Sequence, residues 1–132
     1  MKNSLPNSIS VIIVNWNVAD SLACCLDSIR ATKYPNLEII VTDNASSTPI
    51  HPKQVKFIQN IQNLGFPKAV NQGLQKSTGE FILVLNPDTR IPPNFFTKAV
   101  QFIKLHPDAG IMGPKFTDPD GTPQGSVFPE PS

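Results

Sequence analysis

The feature that most narrows the fold is a pairing that recurs along the chain. Short apolar runs rich in β-branched residues end on an amide or carboxylate side chain, and segments of helical period separate several of them. Residues 9–14 form the first run, nearly continuous in apolar character, which suits a strand buried on both faces. It gives way to Asn15-Trp16-Asn17. Leu22, Cys25, Leu26 and Ile29 then fall at helical spacing, so residues 18–31 are predicted to form an amphipathic helix opened by Asn17 or Asp20. A buried strand followed by such a helix begins a βαβ unit.

The pattern continues. Residues 37–42 are predicted as a second strand closed by Asp43-Asn44, and residues 55–59 as a weaker third strand closed by Asn60. Residues 65–77 read as a helix because Phe66, Val70 and Leu74 lie four apart, with Gly79 placed to end it in a left-handed conformation. Residues 81–85 are a fourth strand, closed by Asn86-Pro87-Asp88. Residues 94–106 carry an apolar stripe of Phe95, Phe96, Ala99, Val100 and Ile103 on a third helix, and residues 109–116 are expected to be a fifth strand broken at Gly113-Pro114. This order implies an α/β fold, a mostly parallel sheet with helices on both faces. The domain is expected over residues 9–117, after a disordered extension of residues 1–8 and before a loop or hairpin of residues 118–132 that leads to an absent acceptor-binding part.

Composition excludes several classes of function. With 39% hydrophobic and 16% charged residues and a formal net charge of +1, the chain has no single-sign field to draw it to nucleic acid. Its opening lacks the apolar stretch of a signal peptide, and no run approaches the roughly 18 apolar residues of a membrane span. The expectation is a cytoplasmic protein whose longer parent has room for peripheral membrane association. Cys24 and Cys25 are adjacent in a helical pattern, where ordinary core packing is expected rather than a strained disulfide.

In open α/β sheets, ligands bind beyond the carboxyl ends of the strands. Here that rim would collect Asn15, Asn17, Asp43, Asn44, Asn60, Asn86 and Asp88, a set suited to a polar, phosphorylated ligand and a hard cation. Asp88 could serve Mg²⁺ alone, because that ion takes one or two carboxylates and completes its shell with water and phosphate oxygens; Asn-Pro-Asp is equally a turn sequence. Asp43 could accept the N–H of a pyrimidine ring or cap its own turn by an Asx bond. Gly65 stands at a helix start, where backbone N–H groups favour phosphate, with the Lys68 cation close by. Trp16 could stack on a base or simply pack, and His51 and His106 read as surface residues.

The succession Val11-Ile12-Ile13-Val14-Asn15-Trp16-Asn17, then Glu38-Ile39-Ile40-Val41-Thr42-Asp43-Asn44-Ala45-Ser46, then Asn63-Leu64-Gly65-Phe66, then Gly79 through Thr89 resembles the start of family 2 glycosyltransferases, particularly the rhamnosyltransferase-like branch. The resemblance covers roughly residues 9–121 and implies a GT-A fold, incomplete here. It also implies a nucleoside-diphosphate sugar as donor, a glycan or lipid-linked acceptor, a divalent cation (Mg²⁺ or Mn²⁺) and inversion at the anomeric carbon. By motif position Asp43 resembles the residue that contacts the nucleoside and Asp88 the metal-binding end of the family's Asp-X-Asp element. Lys68 and Asn71 match positions near the nucleotide. Asn86 departs from the Asp of many relatives, and nothing clearly matches the later segment that supplies the general base: Asp118, Asp120 and Glu130 lie in loop-like sequence. An inactive nucleotide-binding module is the alternative. A receiver domain is disfavoured, since Asn15 and Asn17 stand where it would need an acidic pair.

Overall fold

The computed structural model describes residues 4–125. The chain divides into two compact units, Met1–Lys98 and Ala99–Ser132. The first holds all four strands: β1 (Ile9–Asn15), β2 (Leu37–Asp43), β3 (Lys56–Gln59) and β4 (Phe81–Leu85). They pair in parallel in the order β3-β2-β1-β4. Helices α1 (Ala19–Ala31) and α2 (Phe66–Lys76) connect them, and α3 (Phe95–Leu105) follows β4. The step from β1 to β2 runs across the sheet in the opposite direction from the step from β3 to β4, so right-handed crossovers place α1 and α2 on opposite faces. The expected α/β architecture is therefore present, with four strands rather than five among the described residues.

Central placement explains the composition of β1. With a helix above and below, Val11, Ile12 and Ile13 are all fully buried, and at about 25 cal/mol per Å² such a continuous apolar strand is a main source of stability. Leu22, Cys25, Leu26 and Ile29 form the buried face of α1, as their spacing predicts. On α2 the buried face differs from expectation: Ala69 and Gly73 are buried, whereas Phe66 and Leu74 are 49% and 37% exposed. Close packing on the sheet is the cause, since a Cβ on Gly73 would lie 2.6 Å from Ile12 Cγ2.

Gly79 does not end α2 in a left-handed turn. Ser77 is the C-cap, with φ −72° and ψ 144°. Glycine is needed at position 79 because a Cβ there would meet the Ser10 backbone nitrogen at 2.6 Å. Neither Asn17 nor Asp20 caps α1 either: Val18 is the N-cap, without a side-chain bond. Cys25 is buried but Cys24 is exposed. Within the segment expected to be a disordered extension, Asn7 N–H donates to Glu80 Oε2 at 2.6 Å and Tyr34 Oη donates to the Asn7 carbonyl at 2.8 Å.

In the second unit the described residues 109–116 form no strand. Pro114 lacks an N–H for a ladder, and Ile111 is 93% exposed. An isolated antiparallel bridge, Thr117 to Pro123, instead closes a tight hairpin around Gly121, whose φ is +88°. Glu130 lies outside the described residues.

Candidate functional site

Parallel pairing aligns the strand ends. Asn15 stands opposite Asp43 and Asp43 opposite Gln59, and β4 runs beside β1 with Ile13 opposite Leu85. The polar residues that close the four runs therefore share one rim.

At its centre Asp43 is fully buried. Its Oδ2 accepts Asn15 Nδ2 at 2.8 Å, and its Oδ1 accepts the Ser46 backbone N–H at 2.8 Å and Gln59 Nε2 at 2.9 Å. Burial works to raise its pKa, but the donors from Ser46, Asn15 and Gln59 outweigh it and hold the carboxyl below its usual value. The Asx-type turn weighed from the sequence is present, as the bond to Ser46. Asp43 also fixes the Asn15 amide, leaving Asn15 Oδ1 buried and without a hydrogen-bond partner.

Asn44 is a clamp. Its Oδ1 accepts Leu64 N–H at 3.0 Å and Asn60 Nδ2 at 3.1 Å, while its Nδ2 donates to the Gly65 carbonyl at 3.2 Å. Asn60 and Gln72 exchange reciprocal amide bonds at 2.8 and 2.9 Å. This network ties β2 to the start of α2, where Gly65 takes φ +84° as N-cap, a conformation that explains the glycine. The Gly65 N–H is donated to Asn63 Oδ1 at 2.9 Å and Pro67 has none, so α2 offers phosphate fewer amides than a typical helix start. Lys68 and Asn71 are exposed on that helix.

Asn17 bridges the other way. Its N–H donates to Ser46 Oγ at 2.9 Å and its Oδ1 accepts Ser47 N–H at 2.8 Å, so the β1–α1 loop is fastened to the β2–β3 loop. Between these loops lies a cavity of about 530 Å³, lined by Asn15, Asn17 and the first turn of α1 on one side and by Ser46 and Thr48 on the other. Small-molecule sites typically span about 300–1,000 Å³. Trp16, between Asn15 and Asn17 in the chain, is 55% exposed, so packing does not absorb its ring.

Beyond β4, Thr89 N–H donates to the Asn86 carbonyl at 3.1 Å and closes Asn86-Pro87-Asp88-Thr89 into a turn. The turn reading and the ligand reading coexist, because Asn86 and Asp88 are both exposed on it. Cys25 approaches the same carbonyl at 3.9 Å, its thiol pushed up to about 11 by burial. Among the described residues no group of three or more His, Cys, Asp or Glu could hold a metal. A single exposed carboxylate fits only a hard cation that arrives with phosphate oxygens of its own. His51 packs edge-on against Phe57 and His106 stacks on Phe102, and both are exposed, as the surface reading expects.

The hydrogen-bond network of the rim also takes in Ser46, Gln59 and Gln72, which the sequence reading does not single out. Gln59 closes its strand and Ser46 stands at Asx-turn spacing from Asp43, so both carried a signal; Gln72, a lone amide on a helix, carried none.

The glycosyl transferase family 2 profile matches residues 10–127. The chain belongs to that family. It is 30% identical over 114 residues to an uncharacterized glycosyltransferase of Haemophilus influenzae, covering 80% of this chain and 35% of that protein. Among solved structures it is similar to S. aureus TarS 1-349 in complex with UDP-GlcNAc, with 26% identity, a TM-score of 0.67 and coverage of 75% of this chain and 32% of that one. The fold is shared with the mannosyltransferase PcManGT from Pyrobaculum calidifontis in complex with GDP-Man and Mn²⁺, at 24% identity and a TM-score of 0.67, over 78% and 35% of the two chains. The family 2 chain described here thus spans about a third of the length of these relatives. No helix among its described residues is long and apolar enough to cross a membrane.

Proposed function

We propose that this chain is the donor-binding segment of an inverting glycosyltransferase that takes a sugar from a nucleoside diphosphate and passes it to a glycan or lipid-linked acceptor. The observation that carries the reading is the shared rim: parallel register gathers Asn15, Asp43 and the Asp88 turn at the carboxyl ends of β1, β2 and β4, and Asn15 also lines a cavity of about 530 Å³. Likeness to TarS, which holds UDP-GlcNAc, supports a pyrimidine nucleotide. Rhamnose as the sugar rests on the Asn-Pro-Asp form of the β4 turn.

The roles follow from position. Trp16 offers a face to the base, Asn15 and Asn17 line its pocket, and Asp43 exchanges one internal donor for the N–H of the ring. Asn44 holds the start of α2, where Gly65, Lys68 and Asn71 lie near the diphosphate. Asp88, with Asn86 beside it, would hold the Mg²⁺ or Mn²⁺ that neutralises charge on the departing diphosphate. In the displacement the acceptor oxygen bonds to the anomeric carbon as the bond from that carbon to the diphosphate oxygen breaks. The acceptor proton passes to a carboxylate outside the described residues; Asp118 and Asp120, exposed in the small hairpin, are not assigned that role.

Thermal melting with UDP, dTDP and GDP, each with and without Mg²⁺, tests the proposal. A ligand at one hundred times its Kd adds about 2.7 kcal/mol, a shift of several degrees for a domain of this size. Stabilisation by a pyrimidine nucleotide with metal is expected; stabilisation by none of the three would overturn the donor site.

A further inference from the structure

Resting on that donor-site reading, we infer that Ser46 is a positioning residue that sets the nucleoside-reading groups of the rim. It hydrogen-bonds three of the residues assigned to the nucleoside. Its hydroxyl oxygen accepts the Asn17 N–H at 2.9 Å and Asn15 Nδ2 at 3.4 Å, and its backbone N–H donates to Asp43 Oδ1 at 2.8 Å. The two loops it joins are both held in left-handed backbone: Asn17 has φ 56° and Ala45 has φ 65°. Such conformations cost energy in residues other than glycine and persist where surrounding bonds hold them. On the β1–α1 loop those bonds run to Ser46 Oγ and to the Ser47 N–H.

The hydroxyl therefore acts on the ligand through its neighbours. It keeps Asn17 at the wall of the cavity and shares Asn15 Nδ2 with Asp43, so that the Asn15 amide keeps one orientation with Oδ1 unpartnered. Removing it releases the Asn17 N–H and leaves the Asn15 amide held by Asp43 alone. The diphosphate and metal groups on α2 and the β4 turn have no bond to Ser46 among those described.

The isosteric pair Ser46→Thr and Ser46→Val separates hydroxyl from bulk. Binding of uridine and of UDP with Mg²⁺ is measured by calorimetry on the 132-residue chain, with melting curves confirming that both variants fold. Ser46→Thr should bind within about threefold of wild type, and Ser46→Val should lose about tenfold for uridine and UDP alike, the scale of one net hydrogen bond. Equal affinity of the two variants would overturn the role, as would a loss confined to UDP. If wild type binds neither ligand, the donor-site reading itself fails, and the positioning claim is then read from ¹³C NMR titration of the Asp43 carboxyl. Its midpoint should be higher in the valine variant than in the threonine variant, because the Ser46 side chain as well as its backbone N–H lowers the Asp43 pKa; identical midpoints would overturn the claim.

Discussion

The two ends of the sheet each hold a carboxylate, half-buried at one end and fully buried at the other, and they treat it differently. At the amino end Glu38 binds a cation: its Oε2 accepts Lys56 Nζ at 2.6 Å, while Oε1 accepts Thr78 Oγ1 at 3.0 Å and the Ser10 hydroxyl. Burial would raise its pKa, yet Lys56, Ser10 and Thr78 outweigh burial and pull it down to about 2. At the carboxyl end Asp43 has only neutral donors, from Asn15, Ser46 and Gln59. A carboxylate already neutralised by lysine is spent on the fold, whereas one held by neutral donors keeps its charge uncompensated. The same contrast runs through the surroundings. The amino end is filled to the point that Gly79 admits no Cβ, and the carboxyl end opens on a cavity of about 530 Å³.

Substitutions at the two ends should therefore separate stability from binding. The largest loss of stability is expected for Gly79→Ala, whose Cβ would press on the Ser10 backbone. Overpacking against backbone costs about 3 kcal/mol, or on the order of 10 °C in Tm. Calorimetric unfolding measures it, and nucleotide affinity of the folded fraction should be unchanged; a neutral result would break the picture of a filled amino end.

Asp43→Ala comes next. It leaves donors from buried Asn15, half-buried Ser46 and exposed Gln59 without their acceptor, at about 2 kcal/mol of stability. It should also abolish discrimination among UDP, dTDP and GDP while retaining the Mg²⁺ effect, as competition binding would show. A variant that still distinguishes the bases would reduce Asp43 to a turn residue.

Glu38→Gln should cost about 1.5 kcal/mol at pH 7, a figure lowered for the solvent screening of Lys56. Because the folded pKa lies below the unfolded 4.5, this stabilisation is complete above pH 4.5 and is lost as pH falls toward 2. Acid melts of wild type and variant should converge over that window with equal nucleotide affinity at pH 7. Convergence at higher pH, or weaker binding, would erase the contrast between the ends.

The smallest effect on stability belongs to Asp88→Asn. The side chain is exposed, so melting without ligand should move by less than about 0.5 kcal/mol. Titration with UDP should nonetheless lose its Mg²⁺ dependence. Undiminished affinity with saturating Mg²⁺ would remove Asp88 from the proposed metal site.

Local pattern reached the elements because their causes are local. A β-branched run such as residues 9–14 and the helical spacing of Leu22, Cys25, Leu26 and Ile29 encode strand and helix directly, and the closure of apolar runs by Asn15, Asp43, Asn60 and Asn86 encodes the polar rim. Residues 109–116 failed as a strand because a strand also needs a paired neighbour. Which face of α2 is buried, and why Gly79 must be glycine, depended on Ile12 and Ser10, far away in the chain. Sequence alone thus determined the succession of strands and helices from β1 to α3, the polar closure of each strand and the family. Tertiary structure decided which of those polar groups are used up within the fold, as Asn44 is, and which face open space, as Asp88 does. A hydrogen bond has two ends, and for Asn15 to Asp43 or Asn17 to Ser46 they lie about thirty residues apart, brought together only when parallel strands set their register.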